Sequence, residues 1–170
     1  AARAEEIPYL LVHRPPWCQV PGDRWIDVAN MTEAAEAIGP VGRRVFLTIG
    51  RTELDPFVAR SQHWYLIRSV DSPEPEHLPH RSTVISARGP FDEADERALL
   101  ARHRIDVLVS KNSGGSATAA KLAAARGLGI EVIMIARPAL PDADLADDAD
   151  SAWTWLLSRH GATASARRGV

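Results

Sequence analysis

The chain has 170 residues, 45% hydrophobic and 25% charged, with a formal net charge of −2. That is about one domain with material for a substantial core, and the slightly acidic balance excludes the broad basic surface of a general nucleic-acid binder. Cys18 is the only cysteine, which excludes an internal disulfide and fits a reducing, cytoplasmic location. No apolar run reaches the roughly 20 residues that cross a bilayer, and no charged-then-apolar leader is read.

Taken in chain order, residues 1–6 read as the last turns of a helix without an initiator Met, so preceding residues are expected to have been cut away or left out. A strand follows over 9–12, then the Pro-rich turn Arg14-Pro15-Pro16-Trp17, a strand over 25–28 and a short Ala-rich helix over 32–38. Strands are predicted at 44–49, 64–70, 83–86, 105–110 and 131–135, most of them near-continuous apolar runs rich in Val and Ile, the pattern of parallel strands covered on both faces. Between them fall helices over 53–60, where Pro56 is tolerated in the first turn, and over 92–103. The latter has Asp92 as N-cap, acidic first turns and a basic last turn, in keeping with the helix dipole. A helix from Ser116 to about Arg126 ends at Gly127 and Gly129, and the last helix, 149–159, stops at Gly161. Residues 162–170 read as a disordered tail.

Strands alternating with helices imply right-handed crossovers and an α/β fold, a Rossmann-like parallel sheet with helices on both faces. Residues 43–161 hold enough strands for one complete domain of this kind, and 1–42 read as the remnant of a second Rossmann-like domain with its linker.

Ligands of open α/β sheets bind outside the carboxyl ends of the strands, and three strand ends carry unusual residues. After the strand at 105–110 comes Lys111-Asn112-Ser113-Gly114-Gly115 and then a helix start. Glycines that admit a close approach, free amides, and the hydroxyls of Ser113, Ser116 and Thr118 suit an anion; a plain turn with Ser116 as N-cap is the simpler reading. It is neither a dinucleotide-binding nor a Walker loop. After the strand at 44–49, Thr48, Gly50, Arg51 and Thr52 offer a turn, hydroxyls and a planar cationic fork. After the strand at 83–86, Arg88-Gly89-Pro90-Phe91 offers an arginine, a forced turn and a residue for a hydrophobic staple. Arg51 and Arg88 each fit equally well as solvated surface residues. Arg137, before Pro138, is a further candidate for the same sheet edge, giving a groove with several positive charges. The six histidines show no metal-ligand spacing, and no Ser or Cys nucleophile motif appears. Of the five tryptophans most are expected in the core, with Trp17, beside the rigid Pro-Pro turn, the exception.

Leu47-Thr48-Ile49-Gly50-Arg51, then Arg88-Gly89-Pro90-Phe91, then Lys111-Asn112-Ser113-Gly114-Gly115 with Thr118-Ala119-Ala120-Lys121-Leu122, strongly resemble the precorrin-6A reductase family of cobalamin biosynthesis. Arg14-Pro15-Pro16-Trp17 and Met134-Ile135-Ala136-Arg137-Pro138 fit it too, so the likeness covers most of 1–141. The resemblance implies two Rossmann-like domains around a cleft, with NADPH as cofactor, no metal, and a tetrapyrrole substrate, precorrin-6A, reduced to precorrin-6B by hydride transfer to one macrocycle double bond. It implies Thr48, Gly50, Arg51, Asn112, Ser113, Gly114, Gly115 and Thr118 near NADPH. Arg14, Trp17, Arg88, Gly89 and Arg137 fall nearer the tetrapyrrole, and Lys111 is the candidate proton donor. Family members begin with a strand and a Gly-Gly-Thr loop, so about the first third of such a chain is expected to be missing before Ala1. A monomer is expected. The alternatives are the cobalt-containing substrate of the anaerobic route and a non-catalytic anion- or nucleotide-binding module.

Overall fold

Val45 and Leu47 point to one face of strand β3 (Arg44–Thr48) and Phe46 to the other, and all three are fully buried. A strand apolar on both sides belongs inside a parallel sheet clad by helices. The structure, a computed structural model, describes residues 8–166, and it places β3 in a six-stranded sheet whose pairings are all parallel. The spatial order is β2 (Trp25–Val28), β7 (Glu131–Ile135), β6 (Val107–Lys111), β3, β4 (Trp64–Ser69) and β5 (Ser82–Ser86). The expected α/β class, with helices on both faces, is what the chain adopts.

The period of two along each strand sorts the core. Val45, Leu47, Val107, Val109, Ile133 and Ile135 pack with Ala34 and Ala35 of α1 (Met31–Ala37) and Phe57 of α2 (Asp55–Val58). Phe46, Leu66, Leu108, Val132 and Met134 pack on the other face with Leu100 of α3 (Glu93–Arg102) and with Leu122, Ala124 and Ala125 of α4 (Ala120–Leu128). Caps fix these helices where the sequence marks them. Asn30 accepts the amide of Glu33 at 3.0 Å, and Asp92 accepts that of Ala94 at 2.7 Å, each a contact of roughly 1 kcal/mol. Gly129, with φ +66, closes α4 in the left-handed conformation glycine adopts most readily.

From β3 the chain runs outward to β4 and β5, then returns to the opposite side of β3 at β6. The strand order therefore reverses between β3 and β6, and their carboxyl ends flank the crevice where such sheets hold ligands.

Four expectations are revised. Residues 25–37 do not belong to a remnant ending at 42: β2 pairs with β7 from Trp25↔Val132 to Val28↔Ile135. The chain divides instead into Pro16–Arg137 and a smaller unit made of both chain ends. Which sheet edge a short strand joins is set by tertiary pairing, which local pattern does not encode. In the smaller unit, β1 (Leu10–Val12) pairs in parallel with β8 (Asp144–Ala146), a strand the sequence reading did not anticipate. Its acidic, Ala-rich surroundings have little β-propensity, and its pairing with β1 carries it.

The helix expected from Ser116 begins only at Ala120, because 116–119 close a tighter turn in which Ala119 N–H donates to Ser116 O at 3.1 Å. The helix α5 (Ala149–Ala166) passes Gly161 and takes in the first residues of the expected tail. One interior glycine costs a helix only about 1 kcal/mol, and the following residues are Ala-rich. Residues 1–7 and 167–170, with the helix tail expected at 1–6, lie outside the described residues.

Candidate functional site

Strand parity decides which way the residues at the β3–β6 crevice face. Thr48 continues the Phe46 row toward α4, whereas Lys111 continues the Val107–Val109 row toward α2. Lys111 Nζ accordingly forms an ion pair with Glu53 Oε2, in the turn that leads into α2. Thr48 Oγ1 donates to Val109 O at 3.0 Å and accepts from Lys121 Nζ of α4 at 3.1 Å.

Lys121 is only 5% exposed. Burial, reinforced by the Arg68 guanidinium and opposed by Glu96, pulls its ammonium down to about 7. Its Nζ lies 5.5 Å from the centre of the Trp17 ring. Trp17 is fixed by three bonds to the loop after β6. Its backbone N–H donates to Asn112 Oδ1 at 2.8 Å, its carbonyl accepts from Asn112 Nδ2 at 2.9 Å, and its indole N–H donates to Gly115 O at 2.8 Å.

That loop turns through Gly114 and Gly115 at φ +64 and +78, a conformation that costs other L-residues about 1–2 kcal/mol. As a result the backbone N–H groups from Gly114 to Thr118 meet no protein acceptor, a run of open donors among the described residues. Successive amides in such a turn form an anion-binding concavity. Ser113 and Ser116 are exposed beside them.

The neighbouring strand ends close on this loop. Phe91 N–H donates to Ala117 O at 3.3 Å, and a Cβ added to Gly89 would approach the same oxygen to 3.2 Å, so glycine permits the contact. Arg137 Nε donates to Asn112 O from the end of β7. Beneath Phe91, whose ring lies 3.8 Å from the Arg68 guanidinium, Arg68 and Glu96 form a buried two-bonded ion pair.

The structure thus brings together Thr48, Lys111, Asn112, Ser113, Gly114, Gly115, Thr118, Trp17, Gly89 and Arg137. Gly50, at φ +103, makes the turn after β3. Arg51 is held aside, 4.0 Å from Asp71 and lining a cavity of 310 Å³ with Thr52, Glu74 and His77. Arg88 is exposed, without an ion pair among the described residues, and Arg14 belongs to the smaller unit.

The structure also changes how three of these groups are read. The Asn112 amide is committed to Trp17, the Thr48 hydroxyl to Val109 and Lys121, and the open amides belong to the loop rather than to a helix end. Sequence reasoning missed Glu53, Arg68, Glu96 and the burial of Lys121. For Lys121 a signal existed: it shares a helix face with Ala124 and Ala125 at spacings of three and four.

Fold and site define a Rossmann-like α/β protein whose switch-point crevice is lined by a lysine, a serine-rich turn and open backbone amides. Residues 1–157 match the family described as precorrin-6x reductase CbiJ/CobK. The chain is 50% identical over 157 residues to the precorrin-6A reductase of Rhodococcus erythropolis, covering 92% of this chain and 63% of that protein. To the precorrin-6A reductase of Rhodobacter capsulatus it is 45% identical, over 88% of this chain and 59% of that one. The cobalt-precorrin-6A reductase of Synechocystis is more distant, at 29% identity over 86% of this chain and 59% of the other. Among solved structures, CobK precorrin-6A reductase superposes with a TM-score of 0.86 at 39% identity, over 92% of this chain and 62% of that chain. The chain belongs to the precorrin-6A reductase family of cobalamin biosynthesis, and spans about 60% of the length of these relatives. The resemblance read from its loops is thereby borne out.

Proposed function

We propose that this chain forms the NADPH-binding part of a precorrin-6A reductase that reduces precorrin-6A to precorrin-6B, acting in the cytoplasm as a monomer. The observation that carries the cofactor assignment is the run of open amides from Gly114 to Thr118 at the topological switch point. Phosphate is matched by such donors, by the hydroxyls of Ser113, Ser116 and Thr118, and by the cationic Lys111 nearby. No helix among the described residues is long and apolar enough to cross a membrane, in keeping with a cytoplasmic site of action.

When bound, the nicotinamide supplies the hydride chemistry. The protein's part is to hold and orient. Gly114–Thr118 fix an anionic group by their amides, and Gly50 lets the β3 turn pass close by. Arg137 braces the loop through Asn112 O, while Arg51, at the adjoining strand end, offers a planar fork for a second phosphate once drawn away from Asp71. Trp17 provides an amphipathic wall, and Arg88 and Gly89 supply contacts for the carboxylates of the macrocycle. Hydride addition to a double bond needs one proton as well. Lys111 Nζ, beside Glu53, is the candidate donor of that proton to the substrate's developing carbanion. The greater likeness to precorrin-6A reductases than to the cobalt-precorrin enzyme favours the metal-free substrate.

The test is titration with NADPH, followed by quenching of tryptophan fluorescence, on this chain and on one extended at its N-terminus. Saturable binding that Lys111→Ala weakens at least tenfold is expected. If neither chain binds NADPH, the reading is wrong.

A further inference from the structure

Lys121 is the one lysine among the described residues buried inside the fold, and nothing in the reduction chemistry above employs it. Its surroundings are fully specified. From β3, Thr48 Oγ1 is its hydrogen-bond partner at 3.1 Å. From the loop before β2, the face of Trp17 lies 5.5 Å away. From β4 and α3, the Arg68–Glu96 pair contributes one positive and one negative charge, of which the positive acts the more strongly on Lys121. The Lys111–Glu53 pair, another matched couple, faces the opposite side of the sheet. With each pair matched in charge and Arg137 bound to Asn112 O of the same loop, it is the state of Lys121 that changes the charge beneath the loop after β6. Trp17 ties it to that loop directly, since the same indole that faces Lys121 donates to Gly115 O at 2.8 Å.

We propose that Lys121 is a positioning residue that acts as the internal counter-charge of the Gly114–Thr118 loop, so that binding of a phosphorylated ligand there is accompanied by uptake of a proton at Lys121. This rests on the anion-binding reading of the loop. The physical reason is reciprocal coupling: a buried ammonium stabilises an anion held close above it in a medium of low dielectric, and the anion stabilises the ammonium to the same extent. In the free protein, burial and Arg68 leave Lys121 only partly protonated near neutral pH, so an arriving phosphate has a proton to draw in. The charge reaches the ligand through Thr48 and Trp17, without direct contact.

The test uses NADPH and this chain. Isothermal titration at pH 7.5 in buffers of different ionisation enthalpy measures the protons taken up, and the wild-type chain is expected to take up a substantial fraction of one. Its Kd should rise about tenfold between pH 7 and 9, a range chosen because the ligand's own phosphate titrates near 6, and because one pK unit of coupling corresponds to a factor of ten. Lys121→Met should abolish both the uptake and this pH dependence. Lys121→Arg, which keeps its charge throughout, should bind tightly at pH 9 without proton uptake. Binding by the wild-type chain with no uptake and a flat pH profile overturns the proposal and leaves the NADPH assignment standing; absence of NADPH binding at every pH overturns both. The wild-type measurements decide the matter even if a variant fails to fold.

Discussion

The side-chain amide of Asn112 and the backbone of Trp17 are hydrogen-bonded in both directions, at 2.8 and 2.9 Å, across 95 residues of sequence. This reciprocal pair works like one rung of a sheet: it joins the segment that leads into β2 to the loop that leaves β6. It engages both amide atoms of Asn112 and makes Trp17 part of the loop's frame. Asn112→Ala removes both bonds and leaves the Trp17 backbone groups in a partly buried place without partners. The expected cost is about 1–3 kcal/mol, read as a lower urea midpoint, with a red-shifted tryptophan emission and weaker NADPH binding. An unchanged emission spectrum would show that Trp17 does not depend on this clamp.

The ion pair of Lys111 with Glu53 makes a paired prediction. Both side chains are partly exposed, 44% and 35%, so the pair contributes at most about 1 kcal/mol to stability, and neither Lys111→Ala nor Glu53→Gln should move the melting temperature by more than a degree or two. Their effects on NADPH should be opposite. The first removes a cation from the site and weakens binding; the second frees the ammonium from its carboxylate and tightens binding a few-fold. Two changes of the same sign would remove this pair from the ligand site.

How much of this was legible depends on what kind of signal each residue leaves. Phe46 between Val45 and Leu47, and Asp92 ahead of its acidic turn, write their roles into local spacing, and the strands and caps were readable from them. The glycines at 50, 114 and 115 likewise marked two turns in which they adopt positive φ. Glu53 and Glu96 carry no such mark. Each reads as an ordinary acidic residue of a helix's first turns, and its meaning arises only when β3 lies beside β6, or β4 over α3, and brings a cation to it. The strand at 144–146 and the placement of 25–28 failed for the same reason. Pairing across more than a hundred residues is a property of the sheet, and three or four residues of sequence are too few to encode it.

The buried Arg68–Glu96 pair predicts a large asymmetry between single and double substitutions. The pair is 8% and 2% exposed, and removing one member leaves the other charge without compensation. Glu96→Gln or Arg68→Met should therefore destabilise by about 3–5 kcal/mol in urea unfolding. Replacing both by Met, which fills similar volume beside Phe46 and Phe91, should recover most of that loss. A double variant as unstable as the sum of the singles would show that the guanidinium's contact with the Phe91 ring, 3.8 Å away, matters more than the ion pair.

Lys121 predicts how stability changes with pH. In the unfolded chain a lysine titrates near 10.5, whereas the folded environment lowers this one to about 7. Between those two values the unfolded state binds a proton that the native state does not, so stability from this group rises with pH. Below about 7 both states are protonated, and the buried ammonium contributes a constant penalty. Lys121→Met keeps the packing against Thr48 and Trp17 while removing the titration. It should be more stable than the wild type at pH 7, by about 1–4 kcal/mol, and the difference should shrink steadily as the pH approaches 10. Urea midpoints of both proteins at pH 6, 7, 8 and 9 measure this directly. A gap that stays constant over that range would mean that Lys121 keeps its proton inside the fold, paired more strongly by Glu96 than repelled by Arg68. The charge beneath the loop would then be fixed, and ligand binding would draw in no proton.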